Sequence, residues 1–381
     1  MTTRAAASPV LVFNSGSSSL KFGLYSVRAS SVETLLSGEA ESTAGSQADV
    51  VARVAALILE RKLPAPAAVG HRVVHGGARL LQHCVIDKRV LRELHAAAAF
   101  APLHVPPALA VIGFAMKRFP RCPHVACLDT AFHAALPAVS RTLPIAKELR
   151  SGEIRRYGFH GISCESIMNQ LGRATPRRIV IAHLGNGASV TAIKHGKSID
   201  TSMGLTPTGG VIMGTRPGDL DPGLLIYLMR EQRVGTERLQ ALLNHRSGLR
   251  GISELDSDMR RLHRAARSDS RARLAIEMFC YSVRREIAAM IASLQGLDML
   301  VFTGGIGEHD VKVRRTICSG LGWAGIALDA ARNRAGNNPI SASNSRCAVR
   351  VLRSEEEKQI ARHACELTRA MRVARSVLHA P

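Results

Sequence analysis

Two turns rich in glycine and serine stand between strand-like apolar runs in this sequence. The first covers residues 14–21 (NSGSSSLK) and the second covers residues 183–189 (HLGNGAS). The β-branched apolar residues around each turn predict a strand, a tight turn and a second strand. Glycine permits positive φ and close backbone approach, so several N–H groups can converge there on an anion. Two such hairpins predict two related lobes with phosphate-binding loops at a shared cleft, the layout of a nucleotide-dependent phosphotransferase.

The segments around these turns predict alternating strands and helices. Strands are expected at residues 68–74, 125–128, 299–302 and 349–352, and a tight turn at 303–308 (TGGIGE). Asp129 follows the second of these strands, and ligand groups gather at strand ends in open α/β sheets. A helix over about 271–295 is predicted from apolar residues at helical intervals. These residues are Leu274, Met278, Tyr281, Ile287, Ile291 and Leu294.

Length and composition limit the class of protein. A chain of 381 residues predicts two domains, and 46% hydrophobic residues suffice for their cores. The eight cysteines are scattered without CxxC pairs, which predicts reduced thiols and a cytoplasmic location. No segment has the pattern of a membrane helix, and residues 1–9 lack the apolar region of a secretory signal.

The net charge of +21 raises the alternative of a nucleic-acid partner. Arginines are densest at residues 260–273, in a segment with helical character. No interleaved aromatic residues or recognisable nucleic-acid-binding module accompany them. We therefore expect an arginine-rich surface and a site for anions rather than nucleic-acid binding.

Several segments, in order along the chain, resemble those of one enzyme family, the acetate kinases. They are 14–21 (NSGSSSLK), 70–77 (GHRVVHGG), 101–104 (APLH), 128–133 (LDTAFH), 155–161 (RRYGFHG), 183–187 (HLGNG), 200–207 (DTSMGLTP), 213–222 (MGTRPGDLDP) and 303–308 (TGGIGE). The resemblance implies an α/β fold with two lobes of duplicated actin-like ATPase (ribonuclease H-like) topology around an interdomain cleft. It implies an N-terminal lobe at 1–150, completed by a helix at about 358–381, and a C-terminal lobe at 151–357 that carries a dimer interface. ATP, Mg²⁺ (or Mn²⁺), a short carboxylate and usually a homodimer are implied as partners.

The resemblance also assigns catalytic roles. A carboxylate substrate is ionised at pH 7, so fixed cations, rather than a general base, are needed for it to approach ATP. The family positions implied for this task are Arg72, Arg216, His160 and Asp129. Asn14, Asp129 and Glu356 match residues associated with the metal, although Glu356 could also be only a helix cap. Residues matching the apolar wall and lining of the acyl site are Val74, Leu103, His104, Phe159 and Pro207.

Nucleotide contacts are implied at three places. Ser17, Ser19 and Lys21 belong to the first phosphate loop, although Lys21 could be an ordinary strand-surface lysine. The second loop contributes His183, Gly185, Asn186 and Gly187, and the later glycine-rich segment contributes Gly304, Gly305, Ile306 and Gly307. Asp258, Met259 and Arg260 match an Asp-Phe-Arg segment beside the adenine, with methionine in place of phenylalanine.

Other positions depart from the family pattern. They are Val105, Ile162, Cys164, Thr208, Gly209, His309 and Glu355, and glycine replaces alanine at Gly304. None removes an arginine, His160 or Asp129, so a working kinase with altered packing near the site is expected. A kinase of propionate or butyrate, and a catalytically weakened nucleotide-binding protein, are the alternatives.

Overall fold

The computed structural model describes residues 7–16, 19–41, 47–150 and 152–378. Eleven strands are described: β1 Ser8–Ser15, β2 Ser19–Val27, β3 Val32–Glu41, β4 Ala68–Val73, β5 Cys84–Val85, β6 His124–Leu128, β7 Arg178–Leu184, β8 Ala188–Lys194, β9 Lys197–Thr201, β10 Met299–Thr303 and β11 Ala348–Val351. Fourteen α-helices are described: α1 Gln47–Glu60, α2 Lys88–Ala97, α3 Val105–Arg118, α4 Ala138–Arg141, α5 Gly161–Leu171, α6 Pro222–Arg230, α7 Thr236–His245, α8 Gly248–Ser253, α9 Met259–Ala265, α10 Ser270–Leu294, α11 Gly304–His309, α12 Val311–Ser319, α13 Ala330–Ala335 and α14 Glu356–Leu378.

The chain forms two compact units. Unit 1 comprises Met1–Ala134, His160–Ser166 and Glu355–Pro381, and unit 2 comprises Ala135–Phe159 and Ile167–Ser354. The expected boundary was at residue 150, whereas the chain leaves unit 1 after Ala134 and returns to it for His160–Ser166. No helix among the described residues has the length and apolar character needed to cross a membrane.

Unit 1 is built on a six-stranded sheet in the order β3-β2-β1-β4-β6-β5. Side chains alternate along β1, because successive residues of a strand point to opposite faces. Val10 and Val12 pack in one core cluster with Ile360 of α14, and Leu11 packs in another with Val54 of α1. Full burial of each such side chain contributes about 1.5–3 kcal/mol. The sheet is therefore covered on both faces, and helix α14 from the end of the chain supplies one cover.

Unit 2 repeats this arrangement in a five-stranded sheet, ordered β11-β10-β7-β8-β9. In each unit, two hairpins join three antiparallel strands, and two further strands run parallel to the first. Even the local irregularity recurs, since the register shifts between Leu24 and Tyr25 in unit 1 and between Ala192 and Ile193 in unit 2. The expected α/β fold with duplicated topology is confirmed.

Helix α10 lies where it was expected, and Leu274, Met278 and Tyr281 of its first half are exposed. One local prediction needs correction. Residues 303–308 were expected to form a turn, and the structure has the short helix α11 there instead. Gly304, with φ of 76°, makes the sharp change of direction from β10, so the following residues can enter the helix directly.

Candidate active site

Three polar side chains of unit 1 meet where neighbouring strands end. Asn14 lies near the end of β1, Arg72 near the end of β4, and Asp129 directly after β6. These adjacent strands run parallel, so their carboxyl ends share one edge of the sheet. Arg72 donates to Asp129 Oδ2 from Nε at 3.0 Å and from Nη2 at 2.6 Å, and its Nη1 donates to Asn14 Oδ1 at 3.3 Å. The structure therefore brings these three predicted residues together.

The start of helix α14 adds two carboxylates to this cluster. Asn14 Nδ2 donates to Glu356 Oε2 at 3.1 Å and to Glu357 Oε1 at 2.9 Å. Glu356 was predicted, whereas Glu357 was missed. The signal was present, because both lie in one run of glutamates at the helix start, but only the tertiary contact shows that both reach Asn14.

Burial and charge set the ionisation of this cluster. Burial raises the pKa of Asp129 to about 6; Arg72 opposes this rise, and Glu356 and Glu165 add to it. Burial also disfavours the Arg72 cation, but Asp129 and Glu356 outweigh that effect and raise the arginine pKa above its ordinary value. Desolvation thus exceeds the effect of the ion pair on Asp129. At pH 7 the pair still consists mostly of a carboxylate and a guanidinium.

One oxygen of Asp129 is suited to a ligand from outside the chain. Oδ2 accepts both bonds from Arg72, whereas Oδ1 is buried and has no hydrogen-bond partner among the described residues. A buried polar atom left without a partner is destabilising by about 1–3 kcal/mol. Carboxylate and amide oxygens are donors that Mg²⁺ and Mn²⁺ take. Asn14, Asp129 and Glu356 therefore fit a hard divalent cation.

His160 stands at the entrance to helix α5 in a left-handed backbone conformation, with φ of 57°. This conformation is uncommon for residues other than glycine and clusters at functional sites. The next residue fixes it, since Gly161 N–H donates to Asp129 O at 2.8 Å. A Cβ added to Gly161 would lie 2.3 Å from the same oxygen. His160, which is only 8% exposed, is therefore tied through the backbone to Asp129.

Arg216 belongs to unit 2, and its side chain is buried. Its Nη1 donates to the carbonyl oxygen of Pro207, another predicted residue. Met213 N–H donates to Arg216 O at 3.0 Å, and Gly214 N–H donates to Asn186 O at 3.0 Å. The loop that carries Arg216 is therefore held against the second glycine-rich hairpin.

The two predicted nucleotide segments of unit 2 lie side by side. The β7–β8 hairpin closes with a bond from Gly185 N–H to Gly187 O at 3.0 Å. Gly304 packs directly on the end of β7, since an added Cβ would lie 2.8 Å from Leu184 O. Glu308 Oε1 accepts from Gly304 N–H at 3.1 Å. Residues 183–187 and 304–307 thus present adjoining glycine-rich backbone.

The Asp258–Arg260 segment begins helix α9. Asp258 Oδ1 accepts from Arg260 N–H at 2.8 Å, and its Oδ2 lies 2.6 Å from the largely exposed guanidinium of Arg260. Met259 is buried. One turn later, His263 Nε2 lies 2.8 Å from Oδ2 of Asp310, which caps helix α12. This contact joins α9 to the segment that follows residues 304–307.

Arg314 is a residue of this region that the sequence analysis missed. Its side chain is almost fully buried, and its Nη1 donates to the carbonyl oxygens of Gly307 and Glu308, both at 2.9 Å. Its Nε donates to Asn333 Oδ1 at 2.8 Å. Arg314 therefore holds the last carbonyls of α11 in place. In an arginine-rich chain nothing distinguished it from surface arginines.

The remaining predicted residues have varied settings. Val74, Phe159 and Pro207 are buried, Leu103, His104, Ser19, His183, Gly185, Gly187 and Ile306 are half-buried, and Asn186, Gly305 and Lys21 are exposed. Lys21 faces Glu39 across the β2–β3 pair. Ser17 lies outside the described residues. Three departures from the family pattern, Val105, Ile162 and Cys164, are core residues with at most 1% exposure.

Comparison with known proteins agrees with these features. The model of the acetokinase family matches residues 53–362. The acetate kinase of Clavibacter michiganensis subsp. michiganensis is 41% identical over 94% of this chain and 99% of its own length. That of Methylocella silvestris is 42% identical over 81% of this chain and 76% of its own.

Solved structures give the same result. A propionate kinase from Francisella tularensis matches with a TM-score of 0.85 at 37% identity, covering 94% of this chain and all (100%) of that one. The acetate kinase of Porphyromonas gingivalis matches with a TM-score of 0.83 at 32% identity, covering 95% and 100%. The chain has two units of one repeated α/β topology, and the relatives that it matches are acetate and propionate kinases. These findings define the chain as a kinase, an enzyme that transfers a phosphoryl group. The chain belongs to the acetokinase family, and the resemblance found in its sequence motifs is confirmed.

Proposed function

We propose that this protein transfers the γ-phosphoryl group of ATP to acetate, reversibly forming acetyl phosphate and ADP. The observation that carries the proposal is the buried Arg72–Asp129 pair beside Asn14 and Glu356, in a chain of this family. Acetate is favoured over propionate because the curated relatives described above are acetate kinases. The propionate kinase among the solved structures makes propionate the alternative acceptor to test.

In this reaction a carboxylate oxygen attacks the γ-phosphorus while the bond to the ADP oxygen breaks. Acetate is ionised at neutral pH, so no side chain has to remove a proton. The obstacle is the approach of two anions, through a loose transition state whose charge is spread over three equatorial oxygens. Arg72, Arg216 and His160 are proposed to bind and orient these anions, because planar guanidinium groups match carboxylate and phosphoryl oxygens.

Asn14, Asp129 and Glu356 are proposed to hold Mg²⁺ or Mn²⁺, which would supply positive charge beside the β- and γ-phosphates. Asp129 therefore orients and binds rather than acting as a base. Glu357 shares Asn14 with Glu356, and it is proposed to fix the amide so that Asn14 Oδ1 keeps its direction. The orphaned Oδ1 of Asp129 supports this assignment.

ATP is proposed to contact the glycine-rich backbone of unit 2, at residues 183–187 and 304–307, with Met259 near the adenine. In unit 1, Ser19 is proposed to contact its phosphates, whereas Lys21 is exposed on β2 opposite Glu39 and is proposed to be a surface lysine. Val74, Leu103 and His104 of unit 1, and Phe159 and Pro207 of unit 2, are proposed to contact the acyl group. For two acids that differ by one methylene, a small apolar site changes the free energy of transition-state binding by only about 1–3 kcal/mol.

The test is acyl hydroxamate formation from Mg-ATP, hydroxylamine and a panel of C2 to C4 acids. We expect the highest kcat/KM with acetate, and no product from the Asp129→Asn variant. A preference for propionate or butyrate would change the acceptor and keep the reaction class. Tight ATP binding without turnover of any acid would show the catalytically weakened protein instead.

We also propose that the protein is a homodimer through unit 2. Helix α6 is nine residues long and has no buried residue, although Leu224, Ile226, Tyr227 and Met229 are apolar. Exposed apolar faces of this kind mark interaction sites. We expect light scattering to give a dimer, and the Ile226→Glu variant to give a monomer. The control is Leu59→Glu, on an exposed leucine of unit 1; a monomeric parent protein would refute the proposal.

A cytoplasmic location is proposed from the cysteines. All eight are free, and none pairs in a disulfide. Unpaired cysteines are typical of compartments that keep thiols reduced. Cell fractionation should recover the activity with cytoplasmic markers.

A further inference from the structure

A hydrogen-bonded cluster of His83, Glu165 and His363 lies outside the described site, next to the end of strand β6 that precedes Asp129. It begins at β5, an edge strand only two residues long, which pairs with β6 no further than Ala126. Two residues later, Leu128 is fully buried and lies beyond the end of the β5–β6 pairing. The side chain of His83 takes the place of a backbone acceptor there, because Leu128 N–H donates to His83 Nδ1 at 2.9 Å. The next N–H, of Asp129, points the other way, to Val73 O at 3.0 Å.

This bond fixes the tautomer of His83. Because Nδ1 accepts a hydrogen bond, the neutral ring carries its proton on Nε2. Nε2 lies 3.2 Å from both carboxylate oxygens of Glu165, on helix α5, and donates to them. Burial alone would raise the pKa of Glu165, but hydrogen bonds from His363 and His83 outweigh it and lower that pKa to about 2. Glu165 is therefore an ionised acceptor at neutral pH.

Helix α14 supplies the second donor to Glu165. His363 Nε2 lies 2.9 Å from Glu165 Oε2, and the rings of His363 and His83 are 4.0 Å apart. Glu356 precedes His363 by seven residues on this helix, which is two turns, so both lie on one helix face. The chain of contacts thus runs from the backbone of β6, beside Asp129, to the helix that carries Glu356.

We propose that His83, Glu165 and His363 form a positioning network that fixes Asp129 and Glu356 relative to each other. The inference rests on the proposed function, in which these two carboxylates hold the divalent cation. Helix α5 takes part at both ends, since Gly161 N–H binds Asp129 O and Glu165 binds both histidines. A small rotation of α14 would move Glu356. The hydrogen bond between His363 of α14 and Glu165 of α5 opposes such a rotation.

Two histidines and a glutamate are also a donor set for zinc, and these three lie close enough to share an ion. The tautomer of His83 argues against that interpretation. A histidine that binds a metal normally donates its other ring N–H to an acceptor. Here the other nitrogen accepts from Leu128, so binding a metal at Nε2 would require loss of the very proton that Glu165 accepts.

The test compares Glu165→Gln with Glu366→Gln, which removes the same charge from an exposed position on α14. Glutamine removes the negative charge and puts an NH2 donor in place of one carboxylate oxygen, so the bonds from His83 and His363 are weakened. Outer partners of metal ligands typically contribute about 10- to 100-fold to affinity or activity. We expect Glu165→Gln to lower kcat and raise the half-saturating Mg²⁺ concentration in this range, with KM for acetate unchanged. Glu366→Gln should match the parent protein.

Two substitutions at His363 separate hydrogen bonding from packing. Gln places an N–H donor near the position of Nε2, so His363→Gln should retain most of the activity. His363→Phe keeps a ring without a donor and should resemble Glu165→Gln. Full activity of His363→Phe would overturn the proposal.

A measurement without turnover distinguishes this proposal from the proposed function. Hydrogen exchange of the amides at Leu128 and Asp129 should be faster in Glu165→Gln than in the parent, with the same global unfolding temperature. Unchanged hydrogen-exchange rates at Leu128 and Asp129 would overturn the proposed network, even if the enzyme makes acetyl phosphate. Faster exchange in a protein that phosphorylates no acid would refute the function and leave the structural link intact. Stoichiometric Zn²⁺ binding that Glu165→Gln abolishes would overturn the proposal in favour of a metal site.

Discussion

The two units carry the same strand arrangement but different residues at its edge. After β6, Asp129 N–H donates to Val73 O at 3.0 Å; after β11, Leu352 N–H donates to Phe302 O at 3.1 Å. These bonds are equivalent, yet one position holds a carboxylate and the other an aliphatic side chain. By the same register, Arg72 of unit 1 corresponds to Val301 of unit 2, which is completely buried.

Unit 1 therefore has charged side chains at strand ends where unit 2 has aliphatic ones, and the candidate nucleotide segments of unit 2 are glycine-rich backbone at residues 183–187 and 304–307. Charged groups can stabilise the charge that develops on a transferring phosphoryl group. Backbone that lacks side chains can approach a ligand closely and bind it in the ground state. The comparison predicts that substitutions in the Arg72–Asp129 cluster of unit 1 change kcat, whereas those in the glycine-rich segments of unit 2, at residues 183–187 and 304–307, change KM for ATP.

The largest expected effect is at the ion pair of unit 1. Arg72→Lys keeps a cation beside Asp129 but cannot make the paired bonds from Nε and Nη2. Removing one such preorganised donor lowers kcat by about 10²–10³-fold. The hydroxamate assay should show this loss with little change in KM for ATP. Arg79→Ala, at an exposed arginine paired with Glu93, is the control; near-normal turnover of Arg72→Lys would break the assignment of unit 1.

The second effect is at Gly304 in unit 2. The family pattern has alanine here, so the test uses valine, a β-branched residue. Valine is unfavourable at φ of 76°, and its Cβ would lie 2.8 Å from Leu184 O. A left-handed conformation is unfavourable by about 1–2 kcal/mol or more, so Gly304→Val should raise KM for ATP about tenfold or more. Gly322→Val, in the same unit where an added Cβ meets open space, serves as the control. A fall in kcat at constant KM would contradict the proposed division between the units.

The third effect is a fall of kcat/KM at acidic pH. Because the pKa of Asp129 is raised to about 6, protons neutralise this carboxylate below that pH. Loss of the ionised form should lower kcat/KM about tenfold for each further pH unit. High Mg²⁺ should move this fall to lower pH, since a bound cation favours the carboxylate. A flat profile from pH 7 to pH 5, in a protein shown by circular dichroism to remain folded, would contradict a role for ionised Asp129.

The smallest effect is expected at Lys21. This residue is exposed on β2 and faces Glu39, as an ordinary surface lysine would. Surface substitutions usually change free energies by less than about 0.5 kcal/mol, so Lys21→Ala should change KM for ATP by about twofold at most. A tenfold rise would instead show that Lys21 binds phosphate, and that unit 1 also anchors the nucleotide.

Much of the fold and part of the site were predictable from the sequence. The hairpins followed from apolar runs around glycine turns, and Asp129 followed from its place at a strand end. Asn14 and Arg72 came from the resemblance to the acetate kinases. The helix at residues 304–309 was not predictable, because its glycines have poor helix propensity and Gly304 sets its direction through contact with β7. Arg314 was missed because only tertiary contact distinguishes a buried arginine from a surface one. Periodicity predicted helix α10, but it identifies an apolar face without saying what covers it, so only the structure shows that Leu274, Met278 and Tyr281 are exposed.

Helix α14 has a consequence for how the protein is made. Asn14 and its carboxylate partners are more than 340 residues apart, at separations of 342 and 343. A ribosome therefore completes all of unit 2 before it releases the helix that covers Val10 and Val12. Until then the first sheet keeps one apolar face open, and such faces favour aggregation and chaperone binding in nascent chains. Translation that stalls late should leave a chain whose second half is folded and whose first half depends on chaperones.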